Sequence, residues 1–97
     1  MDRLDKTLQR IDKFNLDKDW NQFHSPENLS KSISIETAEL LECFQWDENN
    51  YDYDKQHVCE ELADVMNYCL QMALVLKLDS IEIINKKIDK NEKKYPV

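Results

Sequence analysis

Ninety-seven residues are enough for one domain, but a chain of this length buries only a limited share of its surface by itself, so self-association is expected. Twenty Asp and Glu against thirteen Lys and Arg leave a formal net charge of -7, which argues against broad attraction to a polyanion such as nucleic acid. The three cysteines, Cys43, Cys59 and Cys69, are odd in number and form no Cys-x-x-Cys pair, so a secreted disulfide framework is not expected and the thiols read as core or half-core groups.

Glycine is absent, Pro26 and Pro96 are the only prolines, and the apolar residues recur with helical spacing, so the chain reads as a single all-α domain over 1–97, a compact four-helix bundle completed by oligomerisation. The first helix carries Leu4, Leu8, Ile11 and Phe14 on one face. An aromatic and polar junction follows at Trp20-Asn21-Gln22-Phe23-His24. Ser25 before Pro26 marks the start of a second helix, because proline at the first helical position forfeits no intrahelical hydrogen bond. That helix is expected over 26–46, and the polar run 47–54 reads as a connection. A third helix is expected over 55–77 with Asp54 as its cap, its Met66, Met72 and leucines filling the core. Its apolar stretch, 70–78, is too short for a membrane span and is broken by Lys77; with no signal-like amino terminus, a cytoplasmic, soluble protein is expected. Asp79, with Glu82 three residues on, forms a capping-box pattern for a fourth helix whose apolar row is Ile81, Ile84 and Ile88.

Two carboxylate pairs interrupt these stripes. At about 100° per residue, Glu36 and Glu39 share an arc with Leu29, Ile33, Leu40 and Cys43, while Glu42 points elsewhere. Glu61 and Asp64 fall among Val58, Val65, Tyr68, Met72 and Leu76, while Glu60 turns outward. A carboxylate on a core-facing stripe is costly unless a cation or hydrogen bonds compensate it. Residues three apart on a helix can reach one ionic cluster, so two such pairs on adjacent helices can surround divalent ions; buried ion pairing is the other reading. Oxygen-only ligands favour Mg²⁺, Mn²⁺ or Ca²⁺ over a tetrahedral zinc site. Neither pair supplies the Glu-x-x-His of a di-iron bundle, and there is no glycine-rich phosphate loop or Ser/His/Asp arrangement. His24 and His57 stand apart without metal-ligand spacing and read as hydrogen-bonding groups. What remains is metal-assisted hydrolysis directed at phosphate.

Four stretches carry a family resemblance: Asp19-Trp20-Asn21-Gln22-Phe23-His24-Ser25-Pro26-Glu27-Asn28-Leu29, Glu36-Thr37-Ala38-Glu39-Leu40-Leu41-Glu42-Cys43-Phe44-Gln45-Trp46, Glu60-Glu61-Leu62-Ala63-Asp64-Val65, and Lys87-Ile88-Asp89-Lys90-Asn91-Glu92-Lys93-Lys94-Tyr95-Pro96-Val97. With them the chain resembles the MazG-like nucleotide pyrophosphohydrolases of the all-α NTP pyrophosphatase superfamily, especially the short dCTP-pyrophosphatase-like branch. The resemblance implies cleavage of a nucleoside triphosphate between its α and β phosphates, dependent on Mg²⁺ or alternatively Mn²⁺, by a homodimer or a homotetramer built from dimers. It places Glu36, Glu39, Glu61 and Asp64 in the acidic metal cluster, with Glu36 and Glu39 catalytic and Glu36 the general-base candidate. It implies that Trp20, His24 and Trp46 form a base or sugar pocket, that Asn28 and Tyr68 position the nucleotide, and that Lys87, Asn91, Lys94 and Tyr95 approach the phosphates. The preferred substrate it implies is a pyrimidine deoxynucleotide, with dCTP or a modified dCTP ahead of dUTP. The rival reading is an inactive nucleotide-binding or protein-interaction bundle; a second is a hydrolase that removes the terminal phosphate.

Overall fold

The structure, a computed structural model, describes residues 2–46 and 53–97. Four helices follow one another: α1 (Arg3–Asp17), α2 (Pro26–Glu42), α3 (Lys55–Val75) and α4 (Ser80–Lys94), with a short 3-10 turn (Asn21–Phe23) between α1 and α2. The all-α, four-helix reading therefore holds. Among the described residues no helix is long and apolar enough to cross a membrane.

Each helix begins where a short polar side chain can accept from amides that have no intrahelical partner. Asp2 Oδ1 accepts from Asp5 N at 2.8 Å, and Ser25 Oγ from Asn28 N at 3.1 Å. Asp54 Oδ1 accepts from Gln56 N at 3.1 Å and His57 N at 3.4 Å, and Asp79 Oδ1 from Ile81 N and Glu82 N, both at 3.0 Å. The Glu82 half of the expected capping box is spent differently, since its carboxylate pairs with Lys86 Nζ at 2.7 Å. α2 ends at Glu42 and breaks into turns over 43–46, earlier than its apolar periodicity suggests, and α3 ends at Val75. Most of the expected 47–54 connection lies outside the described residues.

Two of the helix ends are built alike. After α1 the chain turns left-handed at Asp19 (φ 58°), so that Asp19 N donates to Leu16 O at 3.1 Å and Trp20 N to Asn15 O at 2.9 Å. After α3 it does so at Lys77 (φ 58°), with Lys77 N on Leu74 O at 3.1 Å and Leu78 N on Ala73 O at 2.8 Å. These paired bonds are the Schellman closure of a helix, usually made by glycine. At α1 the closure brings Trp20 edge-on to Phe14, with ring centroids 5.4 Å apart.

α2 and α3 form the principal helix pair, and α1 lies along α3. Leu29 of α2 is fully buried and Ala73 of α3 nearly so. Ile33, Glu36, Leu40 and Cys43 continue the half-buried stripe of α2, and Val58, Glu61, Val65, Tyr68 and Met72 that of α3, while Glu42 and Glu60 are exposed. Met66, expected in the core, is instead 53 % exposed because it faces the open side between α1 and α3. Cys59 and Cys69 are likewise exposed, leaving Cys43 as the half-buried thiol.

Candidate active site

The α2–α3 pairing carries Glu36 and Glu39 to Glu61. One carboxylate oxygen from each lies within 4.8 Å of the others. Glu36 and Glu61 are half-buried and Glu39 is exposed, so the cluster opens outward past Glu39. Glu36 Oε2 and Glu61 Oε2 are buried without a hydrogen-bond partner. An acidic oxygen left dry and unpaired is costly, and a cation at the cluster would satisfy both. Oxygens around an octahedral Mg²⁺ at about 2.1 Å stand about 3–4 Å apart, within small side-chain adjustments of this arrangement. The residues therefore fit a hard divalent ion.

The electrostatics agree. Glu36 is pushed up from 4.5 to about 7, first by burial, then by the adjoining Glu39 carboxyl, then by the charges of Asp64 and Glu61. Burial and the Glu39 charge also raise Glu61, against a lowering contribution from His57, whose Nδ1 is 3.9 Å from Glu61 Oε1. Asp64 stands one turn along α3, exposed, and adds its repulsion to both. The Tyr68 phenol is raised by burial and by Glu36, Asp64 and Glu39, which puts its hydroxyl in the same field. Cys43, its thiol pushed up mainly by burial, donates Sγ–H to Glu39 O at 3.7 Å and is no nucleophile.

Beside this cluster a cavity of about 740 Å³ opens between α1 and α3. Glu36 and Asp64 form one part of its wall, and Phe14, Trp20, His24, Met66 and Tyr68 form much of the rest. That volume and its mixture of aromatic surface with a few polar groups suit a small organic ligand. Carboxylates that can hold a metal thus border a pocket that can hold a ring.

The pattern of the MazG-like family matches residues 31–97. The chain belongs to the MazG-like family. It is 33% identical to dCTP pyrophosphatase 1 of Mus musculus over 92 residues, which cover 88% of this chain and 54% of the mouse protein. Against dCTP pyrophosphatase 1 of Homo sapiens the identity is 32% over 91 residues, covering 87% of this chain and 54% of the human one. The chain thus spans about half the length of these relatives. A crystal structure of a pyrophosphatase from Archaeoglobus fulgidus DSM 4304 matches with a TM-score of 0.94 at 38% identity, covering 100% of this chain and 95% of that one.

Not every residue singled out in this MazG-like chain reaches the cavity. Trp20, His24 and Tyr68 line it with Glu36 and Asp64. Asn28 is instead at the start of α2, where its Nδ2 donates to Phe23 O at 2.9 Å and braces the aromatic junction. Trp46 is 86 % exposed beyond α2. Lys87, Asn91, Lys94 and Tyr95 lie exposed on and just after α4, outside the cavity lining; Asn91 O accepts from Tyr95 N at 2.8 Å, and Lys94 Nζ is 5.4 Å from the Tyr95 ring centroid. Conversely, Arg10, Asn15, Asn67 and Gln71 line the cavity without having been singled out. Arg10 stands next to Ile11 of the α1 apolar row; Asn15 and Gln71 interrupt apolar periods, though a lone amide draws little attention, and Asn67 gives no sign in sequence.

Proposed function

We propose that this protein hydrolyses a nucleoside triphosphate between the α and β phosphates, releasing a nucleoside monophosphate and pyrophosphate. The observation that carries the reading is the Glu36, Glu39 and Glu61 cluster, with two dry, unpartnered oxygens, bordering an aromatic-lined cavity. Relatives named dCTP pyrophosphatase support a pyrimidine deoxynucleotide as substrate, with dCTP or a modified dCTP ahead of dUTP.

Glu36, Glu39, Glu61 and Asp64 would hold Mg²⁺ or Mn²⁺, which when bound neutralises phosphate oxygens and acidifies water. Glu36 is the general-base candidate for the water that attacks the α phosphorus, because it stands both in the acidic cluster and in the cavity wall, where a carboxylate oxygen left free of the metal would accept the proton. The bond from the α phosphorus to the bridging oxygen then breaks, and pyrophosphate departs. Trp20 and His24 enclose the base and sugar, Tyr68 orients the nucleotide beside the acids, and Asn28 holds the junction that carries Trp20 and His24. The family resemblance assigns Lys87, Asn91, Lys94 and Tyr95 to the phosphates and Trp46 to the base, although all five lie exposed outside the cavity of this chain.

The test is a panel of dCTP, 5-modified dCTP, dUTP, dTTP and purine triphosphates incubated at matched Mg²⁺, with every product separated and identified. Pyrophosphate and monophosphate are expected, fastest from the cytosine nucleotides. Glu39→Gln keeps the side-chain shape but removes an anionic ligand, so metal affinity and kcat/KM should fall together by about 100-fold or more, at least the loss seen for groups that merely support ligands. Release of orthophosphate alone, or preference for a purine, would reject the assignment.

A further inference from the structure

Among the described residues Arg10 is the only lysine or arginine in the wall of the cavity, and among them it makes no hydrogen bond or ion pair. The sequence around it shows why. At three and four residues from Arg10, where a helix brings side chains together, stand Lys6, Thr7, Lys13 and Phe14, with no acid among them. Lys13 meets Asp17 one turn on at 2.6 Å, and Lys86 of α4 meets Glu82 in the same way at 2.7 Å. Arg10 has no such acid and keeps Lys6 as a like-charged neighbour. A guanidinium is always charged and carries five donors in a planar fork. Both features favour an anion at this fork.

The direction of the helices sets Arg10 beside the acids. Asn15 Nδ2 donates to Gln71 Oε1 at 3.1 Å, which ties the last part of α1 to the last part of α3. Thr7 and Arg10 share the cavity wall with Ala63 and Asp64, so α1 runs in the same direction as α3; reversed, they would lie beyond the end of α3 at Val75. Arg10 comes before Asn15 by about 7.5 Å of helix rise, and Asp64 before Gln71 by about 10 Å. Side chains lean toward the amino end of their helix, so the long Arg10 side chain reaches the level of Asp64. No ion pair joins it to Asp64 or Glu36. Opposite charges that line one cavity without touching leave room between them for a ligand that meets both.

We infer that Arg10 binds the phosphates beyond the α phosphate, the part that leaves as pyrophosphate, an inference that rests on the nucleoside triphosphate reading of the site. The α phosphate belongs at the acids, where water attacks it. Its neighbour on one side is an uncharged sugar, which Phe14 and Trp20 at the other end of α1 suit better. On the other side is the β phosphate, and only that neighbour calls for a cation. Paired N–H donors of the fork match two phosphate oxygens. As the attacking oxygen bonds to the α phosphorus, the bridging oxygen takes the electron pair of the broken bond, and Arg10 neutralises the charge gathering on the departing pyrophosphate.

Two variants test this in the full chain. Arg10→Gln removes the charge, and Arg10→Lys keeps the charge without the fork. Arg10 is exposed, so both should melt as the wild type does. In Arg10→Gln, kcat/KM for dCTP is expected to fall by about tenfold or more, the scale of a lost hydrogen bond to a charged group, with Arg10→Lys between it and the wild type. Calorimetry with Mg²⁺ present should show the affinity for pyrophosphate and for α,β-methylene dCTP falling by a similar factor, while that for dCMP stays as in the wild type. Unchanged pyrophosphate binding in Arg10→Gln, or a fall shared equally by dCMP, overturns the inference while leaving α–β cleavage intact. A wild-type protein that neither binds the analogue nor releases pyrophosphate from any triphosphate removes the nucleotide reading itself, and this inference with it.

Discussion

A glutamate surrounded by three other carboxylates holds its proton past the usual range, and that has a measurable effect on stability. Glu36 titrates at about 7 in the folded chain against 4.5 for the free group. Between those values the folded protein binds a proton that the unfolded chain has released, so stability must fall as pH rises through that window. Its contribution is fully present below 4.5 and spent above about 7; Glu61, raised for similar reasons, acts in the same direction. Metal-free protein should therefore melt at a higher temperature at pH 5.5 than at pH 8, Glu36→Gln should flatten the difference, and Mg²⁺ or Mn²⁺ at pH 8 should restore the lost stability by binding only the folded form. Melting curves in a chelator, with and without added metal, decide it: a wild-type melting temperature that climbs from pH 5.5 to pH 8 would refute this account. The same residues show why the acids were legible in sequence. Glu36 and Glu61 violate an apolar period, and Glu42 and Glu60 mark the outer face. Asn15 and Gln71 violate one too, but a lone amide draws no attention, and their bond joins positions 56 residues apart.

At the scale of the elements, helix starts could be located and helix ends could not. Ser25, Asp54 and Asp79 are residues whose side chains can cap, and each does. Ends are usually marked by glycine in the left-handed region, and this chain has no glycine. Asp19 and Lys77 take that conformation instead. Asp19 is eased by its own contacts, with Gln22 Nε2 donating to both its carbonyl oxygen and its Oδ2 at 3.0 Å. Among the described residues Lys77 has only the hydrogen bonds of the closure itself, so it bears the cost of a side chain in the left-handed region, about 1–2 kcal/mol. Glycine there removes that cost and adds back about 0.5–1 kcal/mol of unfolded-chain entropy. Lys77→Gly should accordingly stabilise the protein by about 0.5 kcal/mol, seen as a higher urea midpoint with an unchanged slope. A lower midpoint would show that Lys77 serves α3 in some way its backbone does not reveal.

For the whole molecule the question is what covers its apolar surface. A closed domain of about 100 residues has a radius of gyration of about 13 Å, whereas this chain has one of 16.0 Å. α4 explains much of the difference: past Ser80 every residue of it is exposed, including Ile81 at 51 %, Ile84 at 55 % and Ile88 at 45 % along one face. Leu62 and Met66 on α3 are open as well, at 42 % and 53 %. Rows of this kind on a small acidic protein mark an interface rather than a solvated face. The apolar period of α4 was plain in the sequence; that the row would find no cover among the described residues was not, because periodicity names a face and says nothing of its partner. Symmetric pairing of two copies is the commonest way to bury such a face. We expect a dimer, or a tetramer built from dimers, at micromolar concentration, and Ile84→Glu should shift it toward monomer because the new charge would have to be dried at the contact. Light scattering coupled to size exclusion, run over a range of concentrations on both proteins, tests the expectation. A wild-type chain that stays monomeric throughout, with a cooperative melt that does not depend on concentration, would mean that these isoleucines are simply left in water and that the four helices are sufficient alone.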